Sequence, residues 1–335
     1  MKARRAKVTL IYEGVDISAD VAPFLLSFSF SDHAEDKADD LQVTFQDREG
    51  LWKRDWYPSK GATMVAAIET KEWEGSLSRL PCGTFSIDEI DASGSPDTVT
   101  LKGVPELVKT SLRRERKTKA WEDISLSKIA SEIAGIAGVE LFYDVDEDPQ
   151  YSRRDQREQT DLAFLRNLCD DAGLSLKLSN GRLVIFDAEK YEAMPPVATI
   201  KKGDISRYSF SSKSADIYKS CTVKYHDAEK KELLSYTHVP DPEPEVGQEL
   251  QIRRRVESLA NAESLARKEL RKANRHEVTG SMTTAGNVLL SAGLNVTVSG
   301  FGRFDGTYHV EKAVHSVSSG SGYETSIDIR RILGY

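Results

Sequence analysis

Apolar and polar side chains alternate along most of the first hundred residues. Leu41-Gln42-Val43-Thr44-Phe45 and Thr98-Val99-Thr100-Leu101 place every second side chain on one face, the period of a half-buried strand. Turn chemistry such as Asp91-Ala92-Ser93-Gly94-Ser95-Pro96-Asp97 separates these runs. The period then changes. Ile124, Leu126, Ile129, Ile133 and Ile136 recur at helical spacing, with Gly138 placed to cap the end. A second helix is predicted from about Thr160 to Ala172, with Leu162, Leu165, Leu168 and Cys169 on one side. Asp161 falls in its first turn and Gly173 follows its last. Alternation resumes in Leu174-Ser175-Leu176-Lys177-Leu178 and Leu183-Val184-Ile185-Phe186. Between them stands Asn180-Gly181, a strong hairpin signal because both residues tolerate positive φ.

Pro195-Pro196 marks a plausible boundary, and strands return beyond it. They are predicted at Tyr208 to Ser212, Ile217 to Tyr225 and Leu233 to His238. Asp241-Pro242-Glu243-Pro244-Glu245 is a polar loop, since proline cannot sit in a central strand. A charged helix at about 258–274 turns Leu265, Ala266 and Leu270 inward. Leu294-Asn295-Val296-Thr297-Val298 and two further alternating strands, ending near Ile329, close the chain. The whole reads as an α+β, predominantly β protein. Residues 1–105 form a first β domain, 106–195 a small α/β domain with two helices and the Asn-Gly hairpin, and 196–335 a second β domain with one helix.

Two distant segments are built alike. Gly83-Thr84-Phe85-Ser86-Ile87-Asp88-Glu89-Ile90-Asp91 resembles Gly306-Thr307-Tyr308-His309-Val310-Glu311-Lys312-Ala313-Val314, each leading through a Gly/Ser-rich turn into another strand. Thr63 to Ile68 loosely matches Leu294 to Val298. Either hairpin chemistry is limited enough to produce such likeness, or the chain carries two copies of one β-barrel-like unit. Under the second reading, three chains would present six similar barrels in a ring.

Composition narrows the function classes. The chain has 335 residues, 39% hydrophobic and 30% charged, as in ordinary globular proteins. Its longest apolar stretch, near Met64 to Ile68, is far too short to span a bilayer as a helix. The basic start Met1-Lys2-Ala3-Arg4-Arg5 lacks the apolar region and cleavage site of a secretory signal, and Val8 to Tyr12 reads as a first strand. Cys82, Cys169 and Cys221 offer neither zinc spacing nor a disulfide framework, consistent with synthesis in a reducing cytoplasm. With 46 Lys and Arg against 53 Asp and Glu, the net charge is −7, which disfavours a binder driven by phosphate contacts. The basic runs Arg113-Arg114-Glu115-Arg116-Lys117 and Arg253-Arg254-Arg255 lack aromatic stacking platforms. They read as solvated or interface charge beside a helix.

Candidate chemistry is sparse. Asp144-Val145-Asp146-Glu147-Asp148 starts like a calcium loop, but Pro149 stands where glycine is required and Asp155 where glutamate is usual. His309, Glu311 and His315 would share a strand face by the two-residue period and could assemble a metal site, although histidines there are more often solvated or at an interface. Gly300-Phe301-Gly302-Arg303-Phe304-Asp305-Gly306 begins like a dinucleotide loop, but its third glycine is displaced and it lies between strands, with no helix N-terminus to receive a phosphate. Asn295-Val296-Thr297 is a formal glycosylation sequon, irrelevant in a cytoplasmic strand. Carboxylates abound, yet no motif converges them on a sugar cleft or supplies a nucleophile elbow. No catalytic, cofactor-binding or metal-binding residue is assigned.

The second half resembles the late control protein D family, the baseplate hubs of contractile phage tails. The resemblance is carried by Gln159-Thr160-Asp161-Leu162-Ala163-Phe164-Leu165-Arg166-Asn167-Leu168 with Ala172-Gly173-Leu174, then by Ala262 to Ala266 and Leu270 to Arg275. Gly302-Arg303-Phe304-Asp305-Gly306-Thr307-Tyr308-His309-Val310-Glu311, Ala313 to Ser316 and Gly322 to Thr325 complete it. It spans about 120 to 332, and residues 1–105 share only the strand pattern. The resemblance implies a non-enzymatic homotrimeric ring with two tail-tube-like barrels per chain. That ring would adapt a six-fold tail tube to a three-fold central spike in a phage or tail-like particle. Its implied partners are other copies of itself, a separate spike protein, the tube or a tube initiator, other baseplate proteins and a tape measure protein, with no membrane and no specific nucleic acid. An acidic balance would let a like-charged genome pass. Two rival readings are a tail-associated peptidoglycan hydrolase and a peripheral glycan- or receptor-binding β protein.

Overall fold

A computed structural model describes residues 5–35, 37–71, 79–105, 111–179, 181–227, 232–244, 247–254, 256 and 258–335. The first strands are β1 (Arg5–Tyr12), β2 (Val15–Asp16), β3 (Leu25–His33), β4 (Asp40–Gln46), β5 (Thr63–Lys71), β6 (Arg79–Ser93) and β7 (Thr98–Pro105), with a short helix α1 (Ser18–Val21). They form one antiparallel run in the order β3-β4-β7-β6-β5-β1-β2. Alternation drives this half-sheet. Phe28, Phe45, Met64, Ile68, Phe85 and Ile87 point to one side and are almost wholly buried, each contributing about 1.5–3 kcal/mol of transfer free energy.

The middle of the chain contains α2 (Ser111–Arg114), β8 (Arg116–Ser125), α3 (Leu126–Ala137), β9 (Glu140–Asp144), β10 (Gln150–Thr160), α4 (Asp161–Ala172), β11 (Ser175–Ser179), β12 (Arg182–Phe186) and α5 (Ala188–Glu192). Both long helices stop at the glycines that their sequences predict, and each also has a hydroxyl cap at its start. Ser125 and Thr160 accept backbone N–H groups at the starts, and Gly138 and Gly173 sit left-handed at the ends, with φ of 69° and 65°. Ile124 departs from its predicted helix and lies in β8, one residue before its end, while Ile136 is exposed on α3. The hairpin β11–β12 forms with β9 added in parallel; Gly181 has φ 78°, and Asn180 lies outside the described residues. The polar pair β8 and β10 has no counterpart in the sequence reading. Its residues alternate charge with charge, so no apolar period announces them.

The last third comprises β13 (Ala198–Lys201), β14 (Ile205–Ser212), β15 (Tyr218–Asp227), β16 (Glu232–His238), β17 (Gln248–Ile252), α6 (Leu259–Asn274), β18 (Val278–Ala285), β19 (Asn295–Ser299), β20 (Gly306–Ser318) and β21 (Gly322–Arg331). Strands β15 to β17 do not extend the second half-sheet. They form a separate three-stranded sheet whose core, Cys221, Val223, Val256, Ala262, Ala266 and Leu270, includes one face of α6. The remaining strands run β14-β18-β21-β20-β19-β13. That order matches β3-β4-β7-β6-β5-β1 strand for strand, in both chain order and sheet order. One pairing differs in sense: β1 meets β5 antiparallel, whereas β13 meets β19 in parallel. The protein is thus predominantly β, with one sheet pattern occurring twice.

Candidate assembly interface

The two half-sheets are not merely adjacent. β20 outlasts its neighbour β19 and continues past it, and its second half pairs with β3, from Lys312↔His33 to Ser318↔Ser27. The result is one continuous sheet of thirteen strands among the described residues. Backbone groups of both edges are satisfied at once, which is why an open edge recruits another strand. The first core consequently contains Tyr323 of β21 and Val288 from the connection between β18 and β19. His315 stands at this seam, 0% exposed, with its ring stacked on Phe30 at 6.3 Å. Its Nε2–H donates to the Leu290 carbonyl at 3.0 Å, so Nδ1 accepts from the Tyr323 hydroxyl at 2.8 Å.

A buried ionic clasp fixes the other units to this sheet. Arg330 of β21, 1% exposed, donates from Nη2 to Glu192 of α5 at 2.6 Å. Arg271 of α6 holds the second oxygen of Glu192 at 2.7 Å. Burial alone would raise the Glu192 pKa, but the charges of Arg330 and Arg271 outweigh it and hold the carboxyl below its usual range. Glu311 lies 3.0 Å from Arg330 Nε and 2.7 Å from His276. At the β3–β4 loop, Glu35 receives Arg275, the residue that follows α6, and the Ser175 hydroxyl of β11. Beside it Lys177 bridges Asp32 and Asp39 at 2.7 and 3.3 Å, while Asp32 also accepts the Ala292 N–H. The end of β3 and the loop after it therefore tie the α/β unit, the end of helix α6 and both half-sheets together.

The residues singled out from the sequence fall elsewhere than their patterns suggest. His309, Glu311 and His315 do not share a face. A β-bulge between Val310 and Lys312 interrupts the two-residue period, sending both histidines into the interior and Glu311 to the clasp. His309 donates from Nδ1 to the Asn295 carbonyl oxygen at 2.8 Å. Asn295 is no glycan acceptor: it is 2% exposed, and its amide donates to the carbonyls of Tyr191, Glu192 and Met194 at the end of α5. The acidic run is dispersed too. Asp144 accepts from Lys190 and Tyr191, Asp148 from Ser127 and Tyr143, and Asp155 lies in β10 between Arg153 and Arg157. Gly302 to Phe304 make a single 3-10 turn between β19 and β20. Of the basic runs, Arg113 to Lys117 passes from α2 directly into β8, and Arg255 lies outside the described residues.

Among the described residues no three His, Cys, Asp or Glu side chains converge as metal ligands. The polar cleft at the clasp, about 90 Å³, pairs its acids with cations. A second cavity of about 330 Å³ is apolar, lined by Tyr12, Trp52, Trp56 and Tyr57. This geometry is suited to holding surfaces together.

A family model described as "Phage tail baseplate hub (GPD)" matches residues 59–321. The chain belongs to the phage tail baseplate hub family. The match opens within the first half-sheet, well before the segments that carry the likeness in sequence. Two proteins named "Probable baseplate hub protein" are similar: that of Escherichia phage 186, 25% identical over 69% of this chain, and that of Escherichia phage P2, 24% identical over 70%. The hub chain spans only 56% and 57% of the lengths of those relatives. Its fold is like that of a tail protein from Neisseria meningitidis MC58, with TM-score 0.73, 15% identity and coverage of 98% and 97% of the two chains. It is also like an E. coli type VI secretion system component, with TM-score 0.58, 12% identity and coverage of 93% and 74%.

Two outcomes follow for this hub chain. Replacing Arg330 by Met leaves Glu192 buried beside a single cation, and chemical denaturation should show a loss of about 3–5 kcal/mol; a loss under about 1 kcal/mol would contradict the clasp. Burial pushes His309 and His315 down to about 4, with Arg330 adding to the effect on His309. Both are neutral when folded, while the unfolded chain takes up protons below about 6.5, so stability falls as pH falls. Unfolding free energy should drop by on the order of 2 kcal/mol per histidine between pH 7 and pH 5. A flat profile over that range would show them solvated.

Proposed function

We propose that this hub works mechanically, as a non-catalytic trimeric ring that adapts a six-fold tail tube to a three-fold spike. The observation carrying the proposal is the repeated strand order: one chain presents two sheet units of the same pattern, already joined edge to edge. Three chains then supply six such units, which matches a six-fold tube by shape while keeping three-fold identity for the spike. In this reading the units fall within 1–105 and 196–335 and close toward barrel form, and the α/β unit of 106–195 braces them from outside. One face of the ring binds the tube or its initiator and the other a spike protein. The particle is the site of action, and assembly is the activity.

Among the described residues, the clasp pairs its acids with cations and the second cavity is apolar, so neither offers a hydrolytic acid–base couple. Native mass spectrometry of the chain co-expressed with its tube and spike proteins should find three copies per complex. A single copy or six copies would overturn the proposal. A zymogram on bacterial cell wall should show no clearing at the position of this chain, and clearing lost on denaturation would favour the hydrolase.

A further inference from the structure

The likeness of the half-sheets extends to single residues. Phe30 pairs with Leu41, Leu41 with Gly103 and Gly103 with Ile87; in the second half Phe210 pairs with Gly280, Gly280 with Ile329 and Ile329 with Val310. Both irregularities recur at matching places. The β3–β4 ladder slips between Leu25 and Ser27, and the β14–β18 ladder between Ile205 and Arg207. β6 bulges between Ile87 and Glu89, and β20 between Val310 and Lys312. Gly61 and Gly293, at φ 89° and 84°, each donate to the strand just before that bulge, to Ile87 and Val310 respectively. Two bulges and two left-handed glycines in one register make the halves equivalent position by position.

Equivalence exposes an asymmetry. β3 is flanked on both sides, by β4 and by β20 beyond its bulge. Its counterpart β14 is flanked among the described residues by β18 alone. Phe28 is 1% exposed, whereas Tyr208, its counterpart in Ser-Phe-Ser-Phe-Ser against Arg-Tyr-Ser-Phe-Ser, is 50% exposed. Likewise β20 beyond its bulge carries β3, while β6 beyond its bulge pairs among the described residues with β7 alone and is largely exposed from Asp88 to Ser93. Each chain therefore offers one bare edge of the kind that its own β3 presents, and one bare edge of the kind that its own β20 uses to cover it.

Resting on the ring reading above, we propose that β14 of one copy pairs antiparallel with the Glu89–Ser93 edge of β6 in a second copy. The register is that of the internal junction: Glu89 opposite Lys213, Ile90 opposite Ser212, Asp91 opposite Ser211, Ala92 opposite Phe210 and Ser93 opposite Ser209. The contact is head-to-tail, so it repeats from copy to copy until the rotation closes. Within-chain and between-chain junctions then alternate around the ring and are of one kind. Side-chain chemistry suits this pairing. Glu89 meets Lys213, an opposite-charge cross-strand pair absent from the internal seam, where Lys312 meets His33. Ala92 stands where His315 stacks on Phe30, leaving Phe210 free for its own stack on Phe304 at 4.8 Å.

Disulfide trapping tests the register. Facing residues of an antiparallel pair lie about 4.5–5.5 Å apart at Cα, within disulfide range. The internal control, Ser29→Cys with Ser316→Cys, should oxidise within one chain. Ser93→Cys with Ser209→Cys should give covalent dimers and trimers on a denaturing gel, at least fivefold more than the shifted pair Ser93→Cys with Ser211→Cys. The native mass of the same samples is read in parallel, alone and with tube and spike co-expressed. A trimer that fails to cross-link, or that links equally at the shifted pair, overturns the register and leaves the ring standing. Covalent dimers from Ser209→Cys alone mean that β14 pairs with itself and overturn the proposal. No adduct and no trimer under either condition overturns both.

Discussion

The seven-residue ladder between β3 and β20 is the constraint on which the rest of this hub depends. Without it each half-sheet would expose a row of unpaired N–H and C=O groups, and the first core would lose Val288 and Tyr323. Because backbone hydrogen bonds fix both strands in one register, the ladder sets not only contact but orientation between the halves. Everything attached later inherits that orientation. The β3–β4 loop begins where the ladder ends, and its Glu35 and Asp39, with Asp32 near the end of the ladder, become anchors for the α/β unit and for the end of helix α6.

Charge plays a supporting part in this architecture. A buried pair such as Arg330 and Glu192 gains little over a well-packed apolar pair, because desolvation offsets most of the attraction. What it adds is specificity, since a misplaced docking of α5 or α6 would strand charges in the interior. Three elements remote in sequence, α5, α6 and β21, meet at this one carboxylate. A collar that transmits force needs units that neither slide nor rotate against each other, and hydrogen-bonded ion pairs resist both.

Much of the fold was legible in the pattern of side chains. Helices α3, α4 and α6 followed their apolar periodicity, and Gly138 and Gly173 announced the stops of the first two. The likeness of Gly83-Thr84-Phe85 to Gly306-Thr307-Tyr308 marked strands that occupy equivalent places in the two sheet orders. Other features were hidden for physical reasons. β8 and β10 are too polar for alternation to reveal, and the bulge at Glu311 breaks the two-residue rule at the position where three candidate ligands seemed aligned. Pairing of β3 with β20 spans nearly the whole chain, and no local signal encodes so distant a partner. The likeness of Ser27 to Ser31 with Arg207 to Ser211 marks β3 and β14 as equivalent strands but does not name the partner of either. Asn295 looked like a surface sequon because burial cannot be read from three residues.

The central claim is that two equivalent sheet units per chain become a ring with six-fold character and three-fold identity. End-on electron-microscope images of the ring assembled with its tube and spike test it most directly, through their rotational power spectrum. The account predicts a strong six-fold component at the radius of the sheets together with a three-fold component farther out, where the α/β units would lie. Six-fold power at every radius, or no rotational symmetry at all, would contradict it.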